Sequence, residues 1–520
     1  MTAPSQPLRL AEAVGVLSLA TDLAMAQPLE HGLRTAVLAV RLAQAMGLPE
    51  DDQVTVFYVG LLHFAGCTAE SEIDARFFGD ELAARRQMMT VAFGSRLSLM
   101  STAVRVVHPG RARLARAALM ARSAFGGIAE FRKWAASHCD VARVLGVRMG
   151  FPEPVQQALG HLWERWDGKG MPGALRGDQV PLAVRMMQVA QDADMAWQAR
   201  GTALADSLLA ERAGSGLDPH AVSAFRSLGG DAYEGMDAPS IWENALLTEP
   251  GPRPVVSGER LDDCLSAMAD FADLKSMWLA GHSREVAELA GESAVAAGLA
   301  APDVLLLRRA ALVHDIGRVA VPVSVWAKPG PLNRDEHEQV RLHAYHSERV
   351  LSAAGGLLPL ARLAGSHGER CDGSGYHRGS KAGDLPLTAW LLASADCYQA
   401  MREPRAYRQA LSPAAAAGQL SREADEGRLP PEAVDAVLTA VRQPRPPSRR
   451  PAGLSGRECD VLGLLAQGLT TKQAARRLGI SPKTCDHHIQ RLYSKVGVST
   501  RAGAVLFALE HGFVSSREPR

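Results

Sequence analysis

Long apolar runs are missing from this sequence. No stretch approaches the roughly 18–20 apolar residues of a membrane-spanning helix, which excludes an integral helical membrane protein. Met1 to Pro7 lacks the charged and apolar regions of a secretory signal. The chain has only 7 cysteines and no Cys-x-x-Cys pair, so a disulfide scaffold and a zinc ribbon are both excluded. An odd, scattered set reads as reduced thiols, and the expected location is the cytoplasm, with no membrane partner. Aromatic residues make up just 5%, and the net charge of +1 gives the whole chain no strong attraction to a polyanion.

What is present is length and helix-forming residues. At 520 residues the chain exceeds a single core, so two to four domains are expected. Ala, Leu and Arg are abundant, and these have high helix propensity. The near-neutral charge is also uneven. From Gln443 onward about 13 Lys/Arg face about 5 Asp/Glu, which leaves a basic tail on an acidic body and points the tail toward an anionic polymer. Two breaks interrupt the helical pattern. Glu249 to Pro254 carries three prolines within five residues, and Gln443 to Pro451 has the composition of a stiff, charged polyproline segment. The expected domains are therefore 1–248, 255–442 and 454–520, with a linker over 443–453.

The first two parts read as diverged copies of one unit. Leu61-Leu62-His63-Phe64-Ala65-Gly66 parallels Leu312-Val313-His314-Asp315-Ile316-Gly317, and Trp166-Asp167-Gly168-Lys169-Gly170 parallels Cys371-Asp372-Gly373-Ser374-Gly375. Each is followed by Pro-Leu at the start of an apolar helix, Pro181-Leu182 and Pro386-Leu387. The first copy holds an additional Arg-rich stretch around Ala92–Gly126, expected to be helical.

The tail carries a helix-turn-helix pattern. Ala475 is small where two helices cross, and Gly479 permits the left-handed turn between them. Ser481 can cap the next helix and Pro482 fits its first position. Cys485, Ile489, Leu492 and Val496 form one apolar stripe. Lys472, Ser481, Lys483, Thr484, His487, His488, Arg491 and Lys495 are the candidate contacts to duplex DNA. Together with Leu454-Ser455-Gly456-Arg457-Glu458, Leu464 to Gly468 and Lys495 to Arg501, this segment resembles the LuxR-type DNA-binding domain. The resemblance implies four helices and binding as a dimer to a two-part site. Asp486 stands where that family usually has Lys.

The middle part gathers histidines and carboxylates on successive helices, the donor types a divalent metal needs. His314-Asp315 is the central pair, with His282, His343, His367 and Asp396 at separate positions. A metal held there lowers the pKa of water and polarises a phosphoryl oxygen. The order of motifs over about 275–440, namely His314-Asp315-Ile316-Gly317-Arg318, Asp372 to Tyr376 and Tyr398-Gln399-Ala400-Met401, resembles the HD-GYP phosphohydrolases. The resemblance implies an all-α fold and a metal-dependent phosphodiesterase using one or two ions, iron or manganese. It implies that His282, His314, Asp315 and Asp396 hold one ion, that His343 and His367 hold a second, and that Asp315 bridges. Asp315 and Arg318 are the expected catalytic residues, and the implied ligand is phosphorylated, a cyclic dinucleotide being the family's usual substrate. The sequence departs from the family at Gly368, Trp278, His377 and Arg318, where the family's residues are His, Glu, Pro and Lys. His337 and His346 fit no ligand position.

In the first copy most of these positions have lost their ligand. Phe64 follows His63, Leu162 and Trp163 take the paired-histidine positions, and Gln191 stands where the second copy has Asp396, while His31 remains and His138 matches His343. Without a carboxylate in register this copy is expected to be catalytically inactive. The whole reads as an all-α transcription regulator: a degenerate HD-like copy, an HD-GYP-like copy that senses or hydrolyses a phosphorylated ligand, and a DNA-binding tail. Two alternatives remain at this point: an enzyme with an accessory DNA-binding tail, or a catalytically inactive dimeric DNA-binding protein.

Overall fold

A computed structural model describes residues 7–89, 135–171, 173–443, 451–466, 469–498 and 500–510. The Arg-rich stretch around Ala92–Gly126 and most of the linker lie outside the described residues. The described fold is helical as expected. Its one sheet is a two-stranded antiparallel ribbon, in which Leu8 pairs with Val256 and Arg9 with Val255.

The chain forms two compact units. The first comprises Met1–Ala287, Leu305–Gly365 and Pro404–Gln409. At its centre lies the helix Leu10–Ala24, in which all but two residues are buried. A helix buried on every face must be apolar all round, and this one reads Leu-Ala-Glu-Ala-Val-Gly-Val-Leu-Ser-Leu-Ala. It packs on His31–Ala45 and Glu50–Leu62 of the first copy and also on Ile316–Ala320 and Arg334–Leu351 of the second. Gly60 lets two of these helices touch, since a Cβ there would lie 2.7 Å from Ala36 Cα. Lys275 and Glu81 form a fully buried ion pair at 2.7 Å, and Glu81 also accepts from the Val323 backbone N–H.

The duplication is visible in matching backbone contacts within each copy. A Cβ on Gly66 would collide with the His138 carbonyl at 2.0 Å, and one on Gly317 with the His343 carbonyl at 2.3 Å. Gly170 presses on Glu164 and Arg165 as Gly375 presses on Glu369 and Arg370. Glu164 accepts from the backbone of Gly173 and Ala174, and Glu369 from that of Arg378 and Ser380. Both pairs of motif glycines therefore exist because a neighbouring backbone leaves no room for a side chain.

The second unit comprises Glu288–Val304, Ser366–Glu403 and Ala410–Arg520. Its Leu387–Arg402 helix packs on Pro413–Asp425 and Pro431–Ala440. The tail folds as four helices, Gly456–Ala466, Thr471–Leu478, Pro482–Val496 and Arg501–Glu510. Their core joins Val461, Leu465, Ala474, Ala475, Cys485 and Ile489 to a second cluster of Leu454, Leu462, Leu492, Ala504 and Ala508. Val496 is half-buried against the latter.

Candidate metal centre and nucleic-acid interface

His314 follows the apolar Ala301–Val313 helix and is fully buried, as is Asp315. The His314 ring donates from Nδ1 to the Ala311 carbonyl at 2.6 Å, three residues back. His343 donates in the same way to the Val340 carbonyl. A ring that spends its Nδ1 proton on a carbonyl presents Nε2 as a lone pair, the form a metal requires. These lone pairs point at one carboxylate. His314 Nε2 lies 3.0 Å from Asp315 Oδ2, His343 Nε2 lies 3.0 Å from Oδ1, and His282 Nε2 lies 3.5 Å from Oδ2. His282, His314 and Asp315 thus place one donor atom each within 4.8 Å of one another. The donor set of imidazoles and a carboxylate fits a divalent transition metal.

Burial opposes ionisation of Asp315, but the Arg318 guanidinium beside it outweighs this and holds the carboxyl well below its ordinary range. Arg318 pairs with Asp315 and stacks over Trp326 at 5.1 Å. Trp326 in turn meets the His343 ring edge-on at 5.6 Å and donates to the Arg318 carbonyl. Arg318 is buried, yet its Nε and Nη1 have no hydrogen-bond partner among the described residues. Two unspent cationic donors in such a place suit an incoming phosphoryl oxygen.

His367 and Asp396 belong to the second unit. His367 is buried beyond the Leu358–Ala364 helix, and Asp396 is half-buried on Leu387–Arg402. Gly368, beside His367, is covered by the Tyr376 ring. A Cβ at Gly368 would fall 1.9 Å from that ring, and the Tyr376 N–H donates to the Gly368 carbonyl at 3.1 Å. This packing is not readable from the sequence, because the two residues are tied through a loop with no periodicity. Trp278 is half-buried, its carbonyl bonded by Arg405. His337 is exposed and His346 half-buried.

The first copy has kept the skeleton of the motif and rewired its polar groups. His63 donates from Nδ1 to the Gly60 carbonyl at 2.7 Å, as His314 does to Ala311. His31 is bound by Asp194 at 2.6 Å, and Arg34 takes the other Asp194 oxygen at 2.8 Å. Asp194 is therefore neutralised by an arginine. His138 is occupied by Glu70 at 2.6 Å and by the His63 carbonyl at 2.9 Å.

In the tail, Gly479 adopts φ 67°, ψ 28° and closes the first helix of the motif. Thr470 and Gln473 form a capping box at its start, a pairing not read from the sequence although Thr-x-x-Gln is its usual signal. The Ser481 hydroxyl caps the next helix, accepting from the Thr484 N–H at 3.0 Å. Lys472, Ser481, Lys483, Thr484, His487 and Arg491 are exposed, whereas His488 is half-buried. Lys495 is exposed but engaged, bonding Glu458 at 2.7 Å and the Gly453 carbonyl at 3.0 Å. That engagement gives it a structural role that periodicity does not disclose.

Comparison with known proteins agrees with both halves of this description. Residues 128–219 and 266–432 match the HD domain family, and residues 452–508 match the bacterial regulatory proteins of the luxR family. The chain is 28% identical over 415 residues to 3′3′-cGAMP-specific phosphodiesterase 3 of Vibrio cholerae, covering 79% of this chain and 90% of that protein. A crystal structure of a cyclic GMP-AMP-specific phosphodiesterase from Vibrio cholerae superposes with a TM-score of 0.59 at 25% identity, over 84% of this chain and 98% of that one. Over 62 residues the chain is 44% identical to the transcriptional regulatory protein MctR of Rhizobium johnstonii, covering 12% of this chain and 29% of that protein. Stretches of the chain thus match the HD domain and, in the tail, the luxR family of bacterial regulatory proteins, which supports a fused regulator with a phosphodiesterase-like domain.

Proposed function

We propose that this protein is a transcription regulator whose second HD copy binds a divalent metal and cleaves a cyclic dinucleotide, and whose tail binds operator DNA. The reading rests chiefly on the convergence of His282, His314 and His343 on Asp315. These four residues are the proposed core of the metal centre, with His367 and Asp396 as the further ligands that the family resemblance implies. Iron or manganese is the proposed metal, which when bound supplies Lewis acidity and a nucleophile at neutral pH. The protein's own residues do the rest. Asp315 holds the negative charge that attracts the ion, and the carbonyls of Ala311 and Val340 fix the ring tautomers of His314 and His343. Arg318 binds a phosphoryl oxygen through its unspent donors. The relatives that act on cyclic dinucleotides support that substrate class. Exposed Lys483, Thr484, His487 and Arg491 are proposed to enter the major groove, with Lys472 on phosphate and a homodimer reading two half-sites.

The test is elemental analysis joined to a turnover assay. Purified full-length protein, given manganese or ferrous iron, should hydrolyse 3′3′-cGAMP or cyclic di-GMP. His314→Ala and Asp315→Asn should lose both the metal and more than about 100-fold of the activity, beyond the roughly 10–100-fold of outer-shell changes. Metal-free protein in every preparation would refute the reading. A second reading, sensing without cleavage, is favoured by Gly368. There the Tyr376 ring fills the space of a side chain, and metal binding without turnover would select it.

A further inference from the structure

The first copy has lost the chemistry of its motif and kept a hollow there. A cavity of about 420 Å³ is lined by His63, Phe64, Leu162, Trp163 and Gln191, together with Arg165, Lys169, Arg212, Asp192 and several methionines. Four of the first five stand where the second copy has His314, Asp315, His367 and Asp396, and Trp163 stands where it has Gly368. The volume falls within the roughly 300–1,000 Å³ of small-molecule sites.

Its chemistry is divided. One part is apolar and aromatic, with Phe64, Trp163 and Met25, Met171, Met187 and Met195. The other is cationic. Arg165 pairs with Asp167 at 3.0 Å and Arg212 with Asp192 at 2.5 Å, while Lys169 is 81% exposed and 3.9 Å from Asp167. Even with Asp167 counted, cations outnumber carboxylates. His63, which is 3% exposed, also belongs to the lining. Its Nδ1 proton goes to Gly60, and its Nε2 is buried with no hydrogen-bond partner among the described residues. A buried acceptor without a donor is a cost that a ligand N–H would relieve. Burial, with the His31 ring beside it, pushes this imidazole down to about 3, so it stays neutral and accepting at any physiological pH.

We infer that the first copy is a binding module for a nucleotide, which it holds without cleaving. The base packs on Phe64 and Trp163, an N–H of the base meets His63 Nε2, and the phosphate lies on Arg165, Lys169 and Arg212. With Phe64 and Leu162 in place of ligands and Asp192 paired to Arg212, the site has no means of holding a catalytic metal. This site is separate from the one proposed for turnover, and it stands whether or not the second copy is an enzyme.

The experiment is calorimetric titration of the full-length chain in excess EDTA, with an Arg318→Ala background to silence the second copy. The probes are GMP, AMP, 3′3′-cGAMP and cyclic di-GMP, with inorganic phosphate as the control. At least one nucleotide should bind with one site per chain, and phosphate at least tenfold more weakly. His63→Leu and Arg212→Ala should each weaken binding tenfold or more. Lys169→Glu changes an exposed side chain that carries no folding risk, and it should do the same. No saturable binding by any of the four nucleotides overturns the inference. Affinity unchanged by both Lys169→Glu and His63→Leu, or phosphate binding as tightly as nucleotide, also overturns it.

Discussion

Asp315 and Phe64 occupy the same step of a duplicated motif, and the difference between them is one carboxylate. In the second copy that group gathers three rings and an arginine. In the first, a benzyl group stacks on His31 at 5.8 Å, and the polar partners regroup around Asp194. One residue of the rewired copy stores a measurable penalty. Asp22 is fully buried and accepts from the Gly32 N–H at 3.2 Å. Burial raises its carboxyl to about 7, against the pull of His31 and Arg34. The folded chain then holds a proton that the unfolded chain releases above about pH 4, so stability falls as pH rises from about 4 to 7. Asp22→Asn keeps the oxygen that serves Gly32. It should flatten that pH dependence in chemical denaturation, removing about 4 kcal/mol at most of the loss at pH 8. An unaltered slope would mean that Asp22 does not titrate in this window.

Helix ends in the tail separate shape from contact. Ser481 belongs to the fold, because it caps the Pro482–Val496 helix, whereas Lys483 and Arg491 are exposed on it. Ser481→Ala should destabilise the tail by about 1 kcal/mol in thermal melts. Lys483→Ala with Arg491→Ala should leave the melt unchanged and weaken duplex binding. The slope of log affinity against log salt should drop by about 1 for each lost phosphate contact. An unchanged affinity and slope would remove these two residues from the interface. This motif was legible in the sequence because its signals, Gly479 and Ser481 among them, act within a few residues. The adjacent His314-Asp315 pair was legible for the same reason, although the carbonyls that set the ring tautomers of His314 and His343 were not. The cover of Tyr376 over Gly368, and the burial of Leu10–Ala24 on every face, depend on partners far along the chain. No local pattern encodes them.

At the scale of the molecule, the first copy and part of the second, including Leu305–Gly365, share one compact unit. The Leu10–Ala24 helix packs on elements of both, and the Glu81–Lys275 pair joins them without contact with water. Removing one partner of such a pair strands the other charge. Lys275→Ala should therefore destabilise the unit by about 3–5 kcal/mol in denaturant titration, with Lys275→Met close behind while Glu81 remains. A loss below about 1 kcal/mol would show that water reaches Glu81. Because the first copy supplies part of the surroundings of Ile316–Ala320, residues 255–442 expressed alone should lack fixed packing. They should bind a hydrophobic dye and give a weak near-ultraviolet spectrum. A sharp, cooperative melt of that fragment would contradict this.

The ribbon between Leu8–Arg9 and Val255–Val256, and the seat of the first helix on Arg334–Leu351, bear on how the chain is made. At about 5–20 residues per second, the opening helix leaves the ribosome roughly 17–70 s before its last neighbours are synthesised. Through that interval the part of this helix that rests on Ile316–Ala320 and Arg334–Leu351 has no native partner, although His31–Ala45 and Glu50–Leu62 can cover the rest. Nascent chains of this protein should therefore depend on a holding chaperone until the second copy has emerged.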